Sequence, residues 1–381
     1  MRHTLPGLLA LTVACFMAVT TEMLPVGLLP AIGSTFGVGD SVTGLLVSVY
    51  AVMVAVLAVP LTLATRRAAR KTLLLATVTC YALSNLLVTL APGFALVVAG
   101  RALGGVTHAL FFSVAIGYVS RLVDRAYVGR ALALVTGGVS AGFVLGVPLA
   151  TSLGTAVGWR VAFGALAAVT GAAAVVVAIV LPPVPNTVPA PAHGEAGRRR
   201  QLTAVVGANG LSFLGQYSLY TYITVLLLGS GAGKEAIGPI LVLCGLAGLV
   251  GLWLAARRLD HNPRLVGVAV LAVALAGMAG VGLAYPSLAL VIVAAMAWNG
   301  AFGAVPSVYQ SAAIRTHAVA PEMAGAWVNA TSNVGIAAGA AIGAALLAGP
   351  GLRPIVWTGC AILATALLLV VAARRAFPRK P

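Results

Sequence analysis

Twelve times along this chain a run of about twenty mostly apolar residues ends in a short polar break, and that length matches the hydrocarbon core of a bilayer. The runs are Leu8–Ile32, Thr43–Thr65, Thr72–Leu90, Phe94–Ser120, Val128–Leu153 and Val161–Leu181, then Leu202–Leu228, Ala236–Ala255, Leu265–Leu283, Ser287–Ser311, Met323–Leu347 and Pro354–Ala372. With 61% of residues hydrophobic, 8% charged and a mean hydropathy of +1.06, too little polar surface remains to cover a water-soluble globule. Lipid offers a backbone no hydrogen-bond partner, so the spans are predicted to be helices; the alternating pattern of a membrane barrel is absent. The fold class is an all-α polytopic membrane protein. Its one long polar, proline-rich stretch, Pro182 to Arg200, divides it into residues 1–182, a linker at 183–201 and residues 202–381, six spans on either side.

The formal charge of +16 suggests a nucleic-acid binder until its distribution is considered. Nineteen of the 23 Lys and Arg fall in alternate loops with the two termini, and Arg160, Lys234 and Arg353 on the other side. By the positive-inside rule both termini and the linker are expected to be cytoplasmic, in a bacterial inner membrane, with no nucleic-acid partner. The opening Met1-Arg2-His3 and its apolar run read as a first span: the run is too long for a signal peptide and has no small-residue cleavage site before Pro25. Cys15, Cys80, Cys244 and Cys360 stand singly in separate spans and read as core residues, neither disulfides nor metal ligands.

The halves echo each other. The fifth span carries Gly138, Gly142 and Gly146 at four-residue steps and the eleventh carries Gly335, Gly339 and Gly343, a spacing that lets helix backbones approach closely. The basic loop from Arg66 to Lys71 after the second span is matched by Arg257 and Arg258 after the eighth. Repeats of this kind place a substrate site between two bodies that rock against each other.

This layout resembles the major facilitator superfamily. The segments Thr20-Thr21-Glu22-xx-Pro25 running on to Pro30, Arg101-Ala-Leu-Gly-Gly105, and Gly146-Val-Pro148 ending in Gly158-Trp159-Arg160 look like its drug:proton antiporter branch, and within it bacterial chloramphenicol-resistance and sugar-efflux exporters. The resemblance implies two pseudo-symmetric six-helix bundles, with the first and fourth spans facing a central cavity. The loop at Thr62–Lys71 departs from the family motif: Arg66 stands where the acid would be, and Thr62 and Ala69 where glycines would be. Arg67, Arg70 and Lys71 remain, as topology or gating residues.

Among 23 Lys and Arg and 7 Asp and Glu, only Glu22 and Arg101 fall well inside spans. A charge at the bilayer centre costs about 2.5 to 3.5 kcal/mol on insertion scales, so each is a functional candidate. At 1.5 Å per residue Glu22 lies roughly 14 Å and Arg101 roughly 10 Å below the outer surface, and the two are expected to pair. Desolvation opposes ionisation of the carboxylate and a neighbouring arginine favours it, the balance a proton carrier needs. His108, two turns beyond Arg101, extends that helix face and is a candidate relay. In the seventh span Asn209, Ser212, Gln216 and Tyr220 form a polar stripe expected to line the cavity; Trp298, Asn299 and Phe302 of the tenth and Asn329 and Asn333 of the eleventh add amide and aromatic groups. Such a lining suits a neutral, weakly polar ligand.

No HExxH or Walker loop occurs, so an enzyme is not expected, nor a cofactor or metal beyond the proton as coupling ion. The reading is a monomer in contact with lipid and a small-molecule substrate: a proton-coupled exporter of small amphipathic compounds such as chloramphenicol-like antibiotics. A sugar exporter is the alternative, and a membrane sensor on the same scaffold a remote one.

Overall fold

The computed structural model describes residues 4–65, 67–123, 128–184, 196–259, 261–319 and 321–377. Among them there are helices and no strands. The first half comprises α1 (Leu5–Phe36), α2 (Asp40–Ala64), α3 (Arg70–Thr89), α4 (Phe94–Leu122), α5 (Val128–Ala141), α6 (Val147–Val157) and α7 (Trp159–Val180). The second comprises α8 (Ala196–Tyr220), α9 (Ile223–Gly229), α10 (Lys234–Leu259), α11 (Pro263–Ala284), α12 (Leu288–Phe302), α13 (Val305–Arg315), α14 (Pro321–Ala348) and α15 (Leu352–Ala372). Taken singly or as pairs in line they make twelve membrane spans.

Three spans are broken, two of them at a proline. Pro148 has no N–H to offer the Val144 carbonyl, and just ahead of it α5 widens into a π-turn at Gly142–Gly146 before α6 begins. Pro306 ends α12 at Gly303–Ala304 in the same way and starts α13. The seventh span turns at Thr221–Tyr222 between α8 and α9. The linker expected at 183–201 is shorter among the described residues: 185–195 lie outside them, and Ala196–Gln201 already belongs to α8, because Arg198 to Gln201 are good helix formers.

The glycine stripes pack the repeat together. A Cβ on Gly142 would lie 2.9 Å from the Phe16 carbonyl oxygen of α1, and Gly138 and Gly146 meet Thr12 and Thr20 of the same helix. In the second half Gly335, Gly339 and Gly343 meet Gly210, Leu214 and Ser218 of α8, a Cβ on Gly339 falling 2.6 Å from the Leu214 oxygen. The fifth span thus lies on the first as the eleventh lies on the seventh, which is the internal repeat seen as packing.

The halves meet along α2 and α14, α6 and α10, and α1 and α9. Met23, Val26, Val47, Ala51 and Val147 of the first half bury their side chains in the second half's core. Pro148 takes part, its carbonyl facing Gly238 of α10. The end of the molecule carrying the loop between α2 and α3, here the basic end, has Arg67 exposed and Arg70 half-buried within electrostatic reach of Arg121. Lys71 donates to the Ala178 carbonyl of α7 at 2.8 Å, so it ties two helix ends together. Arg66 lies outside the described residues. All four cysteines are free thiols.

Candidate functional site

Two prolines inside α1 set the chemistry of its middle. Pro25 leaves the Thr21 carbonyl without its helical N–H partner, and Pro30 does the same to Val26. In a dry interior an orphaned carbonyl must find another donor. Arg101 of α4 takes the first: its Nη1 donates to the Thr21 oxygen at 2.6 Å and its Nη2 to the Glu22 oxygen at 2.7 Å, while Nε makes a long 3.5 Å contact with the Leu46 oxygen. The guanidinium carbon lies 4.3 Å from the centre of the Tyr50 ring. Thr224 of α9, in the other half, takes the second, its hydroxyl donating to the Val26 oxygen at 2.8 Å.

Glu22 and Arg101 therefore meet, but differently from the expected pair. The guanidinium grips the main chain that carries Glu22, because Pro25 leaves the Thr21 oxygen without its helical donor and the planar fork reaches the next carbonyl as well. The carboxylate stays within electrostatic reach of Arg101, while its Oε2 lies 3.8 Å from Nδ1 of His108. That nitrogen is 3.0 Å from the Tyr50 hydroxyl, and the imidazole is enclosed by Tyr50, Tyr81 and Phe112. Asn85 of α3 donates to the Thr21 hydroxyl at 2.9 Å and completes a buried polar cluster built from α1 to α4. Glu22, Arg101 and His108 are brought together; Tyr50, Thr21 and Asn85 were missed. Only Tyr50 had a usable signal, an aromatic residue within an aliphatic run.

In the second half the stripe on α8 divides between neighbouring helices. Asn209 and Ser212 are fully buried and serve helix packing: Asn209 donates to the Val328 oxygen and to the Thr331 and Ser332 hydroxyls, and Ser212 pairs with the Tyr309 hydroxyl at 2.7 Å. Helical periodicity identified one face of α8 without saying what it met, and its lower part meets α14 and α13. Gln216 turns toward α12, its Nε2 donating to Asn299 Oδ1 at 3.2 Å. Asn299 and Asn329 are half-buried, whereas Asn333, Trp298 and Phe302 are buried. Asn333 bonds back to the Asn329 carbonyl at 3.0 Å.

A run of rings crosses this half: Phe302 on Phe213 (5.2 Å), Phe213 on Tyr217 (6.0 Å), Tyr217 on Tyr220 (5.6 Å) and Tyr220 on Trp298 (6.2 Å). Tyr217 reaches the first half, its hydroxyl 3.5 Å from the Met23 sulfur and within electrostatic reach of Glu22. The steps from Phe213 to Tyr217 to Tyr220 are helical ones, so this aromatic face was legible in the sequence and was overlooked for the polar one. Among the described residues no group of three or more His, Cys, Asp or Glu is placed to hold a metal.

Known proteins share both the sequence and the architecture. A family model described as Major Facilitator Superfamily matches residues 11–326. The chain belongs to that superfamily. Like other major facilitator proteins, it is a multi-pass membrane transporter rather than an enzyme. It is 32% identical over 351 residues to a chloramphenicol efflux pump of Mycobacterium tuberculosis, covering 88% of this chain and 84% of that protein. It is 27% identical to a probable sugar efflux transporter of Mannheimia succiniciproducens, covering 97% of this chain and 94% of that one. The crystal structure of a D-xylose–proton symporter superposes with a TM-score of 0.78 at 14% identity, over 100% of this chain and 98% of that chain, a likeness of fold.

Proposed function

We propose that this major facilitator protein exports small neutral amphipathic compounds, chloramphenicol-like antibiotics among them, in exchange for protons. The observation that carries the reading is Glu22, a buried carboxylate at the junction of the two halves whose nearest basic partner is an imidazole at 3.8 Å. A carboxylate locked bidentately to an arginine would be hard to protonate; here Arg101 is occupied by main-chain oxygens, so Glu22 is free to gain and lose a proton. The His108–Tyr50 pair beside it offers a short path along α4 toward the basic end.

With the basic end in the cytoplasm of a bacterial cell, Glu22 takes a proton when the cavity opens outward and gives it up when it opens inward, where substrate loads. The similarity to a chloramphenicol efflux pump supports the direction of transport and the substrate class. The likeness to a probable sugar efflux transporter keeps a sugar or sugar analogue as the second reading.

The test is a pH-sensitive dye in inverted vesicles. Chloramphenicol or a phenyl galactoside is expected to discharge a preformed proton gradient with the wild-type protein, and to have no effect with Glu22→Gln. Substrate-dependent proton movement that survives the substitution removes Glu22 from the mechanism.

A further inference from the structure

Buried amides in a helical membrane protein have a built-in bias. Each backbone N–H is consumed inside its own helix, while every backbone carbonyl keeps a second lone pair, so the partner a buried side chain finds is nearly always an acceptor. A carboxamide there satisfies its N–H groups internally and leaves its oxygen over. Asn85, Asn209, Gln216 and Asn333 all follow the rule: each Nδ2 or Nε2 donates within the protein, and each carbonyl oxygen has no hydrogen-bond partner.

Two of these oxygens, buried in this conformation, are candidates to meet a solute when the halves part. Gln216 stands one turn from Tyr220, which is half-buried, and beside Asn299, also half-buried. Its orientation is fixed in two steps. Asn299 gives its Nδ2 to the Ala295 carbonyl at 2.9 Å, which turns Oδ1 toward Gln216, and a flipped Gln216 would set oxygen against oxygen. Asn333 stands one turn from Ala337, whose carbonyl accepts the Ser48 hydroxyl of the opposite half at 3.0 Å, so its face of α14 is turned to the seam between the halves. The Asn329 carbonyl holds its Nδ2 and leaves its Oδ1 buried and unpaired. Among the described residues the charged side chains of the second half stand at helix ends and in loops, leaving half-buried Tyr220, backed by the buried Trp298, as the nearby flat group.

We propose that the second half recognises its solute by hydrogen-bond donors: the Gln216 and Asn333 carbonyl oxygens select an uncharged molecule carrying at least two O–H or N–H groups beside a ring that rests on Tyr220, which Trp298 backs. The inference rests on the exporter reading and narrows it. A carboxylate or other anionic group, which brings only acceptors, finds no partner in these oxygens, and an apolar compound leaves two buried oxygens unpaired, the costliest kind of mismatch in a dry site. The hydroxyl-bearing compounds for which the two related exporters are named meet this requirement.

Binding separates this idea from proton coupling. Purified protein in detergent is titrated by tryptophan fluorescence with two matched pairs: chloramphenicol and its di-O-methyl ether, and phenyl β-galactoside and its tetra-O-methyl ether. The wild type is expected to prefer the hydroxylated member of at least one pair by about tenfold or more. Gln216→Met and Asn333→Leu are expected to bring that ratio close to one, whereas a penalty for the bulk of the methyl groups would persist in both. A wild type without preference in either pair, or a preference unchanged in both variants, overturns the proposal. Glu22→Gln is expected to keep the wild-type ratio, so loss of proton flux with the ratio intact would count against the coupling scheme alone.

Discussion

Arg101 shows how one missing N–H dictates the partner of a buried charge. Without Pro25 the Thr21 carbonyl would accept from residue 25 in an unbroken ladder, and the guanidinium would be free for the carboxylate one residue on. This gives a prediction with an internal control. Arg101→Met orphans the Thr21 oxygen, which costs about 1–3 kcal/mol when buried, and adding Pro25→Ala supplies the lost donor. The double variant is expected to melt at a higher temperature than Arg101→Met alone in a detergent unfolding scan; equal melting temperatures would mean that the proline does not create the arginine's site. That Glu22 and Arg101 lie near each other was legible from their depth in two spans. The atoms through which they meet were not, because pairing by depth takes no account of a main-chain oxygen left open by a proline four residues further on.

At the scale of the element, the glycine stripes decide which helices can touch. On α14, Gly339 faces the Leu214 oxygen and the Ser218 nitrogen, backbone atoms that cannot turn aside as a side chain would. Gly339→Ala is therefore expected to destabilise by about 2 kcal/mol or more, as overpacking does. Gly171→Ala, in α7 where an added methyl meets nothing within 4 Å, is expected to be neutral or to stabilise by up to about 1 kcal/mol from helix propensity. Thermal unfolding of both variants in one detergent checks this, and an equal fall in both would sink the packing argument. The four-residue spacing announced the close approach, and the repeat identified the matching pair. On α8 the same kind of reading gives a face without its partners: Asn209 and Gln216 share a periodicity, yet one ends against α14 and the other against Asn299.

Across the whole molecule, the halves are fastened on the side of Glu22 away from the basic end. Thr224 holds the Val26 carbonyl, Ser48 holds that of Ala337, and the Tyr222 ring fills the space beside Gly44. In a transporter that rocks, such contacts exist in one state and must part in the other. Thr224→Val keeps the shape of the side chain and leaves the Val26 oxygen unpaired in the closed state only. Loss of one such bond, about 1 kcal/mol, shifts the equilibrium toward opening at that end by roughly fivefold. An impermeant thiol reagent is expected to label a cysteine placed at Leu29 correspondingly faster, in a background without the four native cysteines. Labelling at the wild-type rate would show that this bond does not hold the gate.

The sequence by itself determined the class and the plan: twelve helices, because apolar runs of bilayer length have no other way to satisfy their backbones, and two equivalent halves, because the glycine and basic-loop patterns recur in step. It also isolated Glu22 and Arg101, since a charge inside lipid has to have a reason. Tertiary structure decided partners. Which donor answers the carbonyls freed by Pro25 and Pro30, which neighbouring helix the Asn209 and Gln216 amides meet, and that Tyr217 bridges to Met23, all depend on contacts between residues tens to hundreds of positions apart. A helical period records which side of a helix a residue occupies; what stands opposite is set only when the helices assemble.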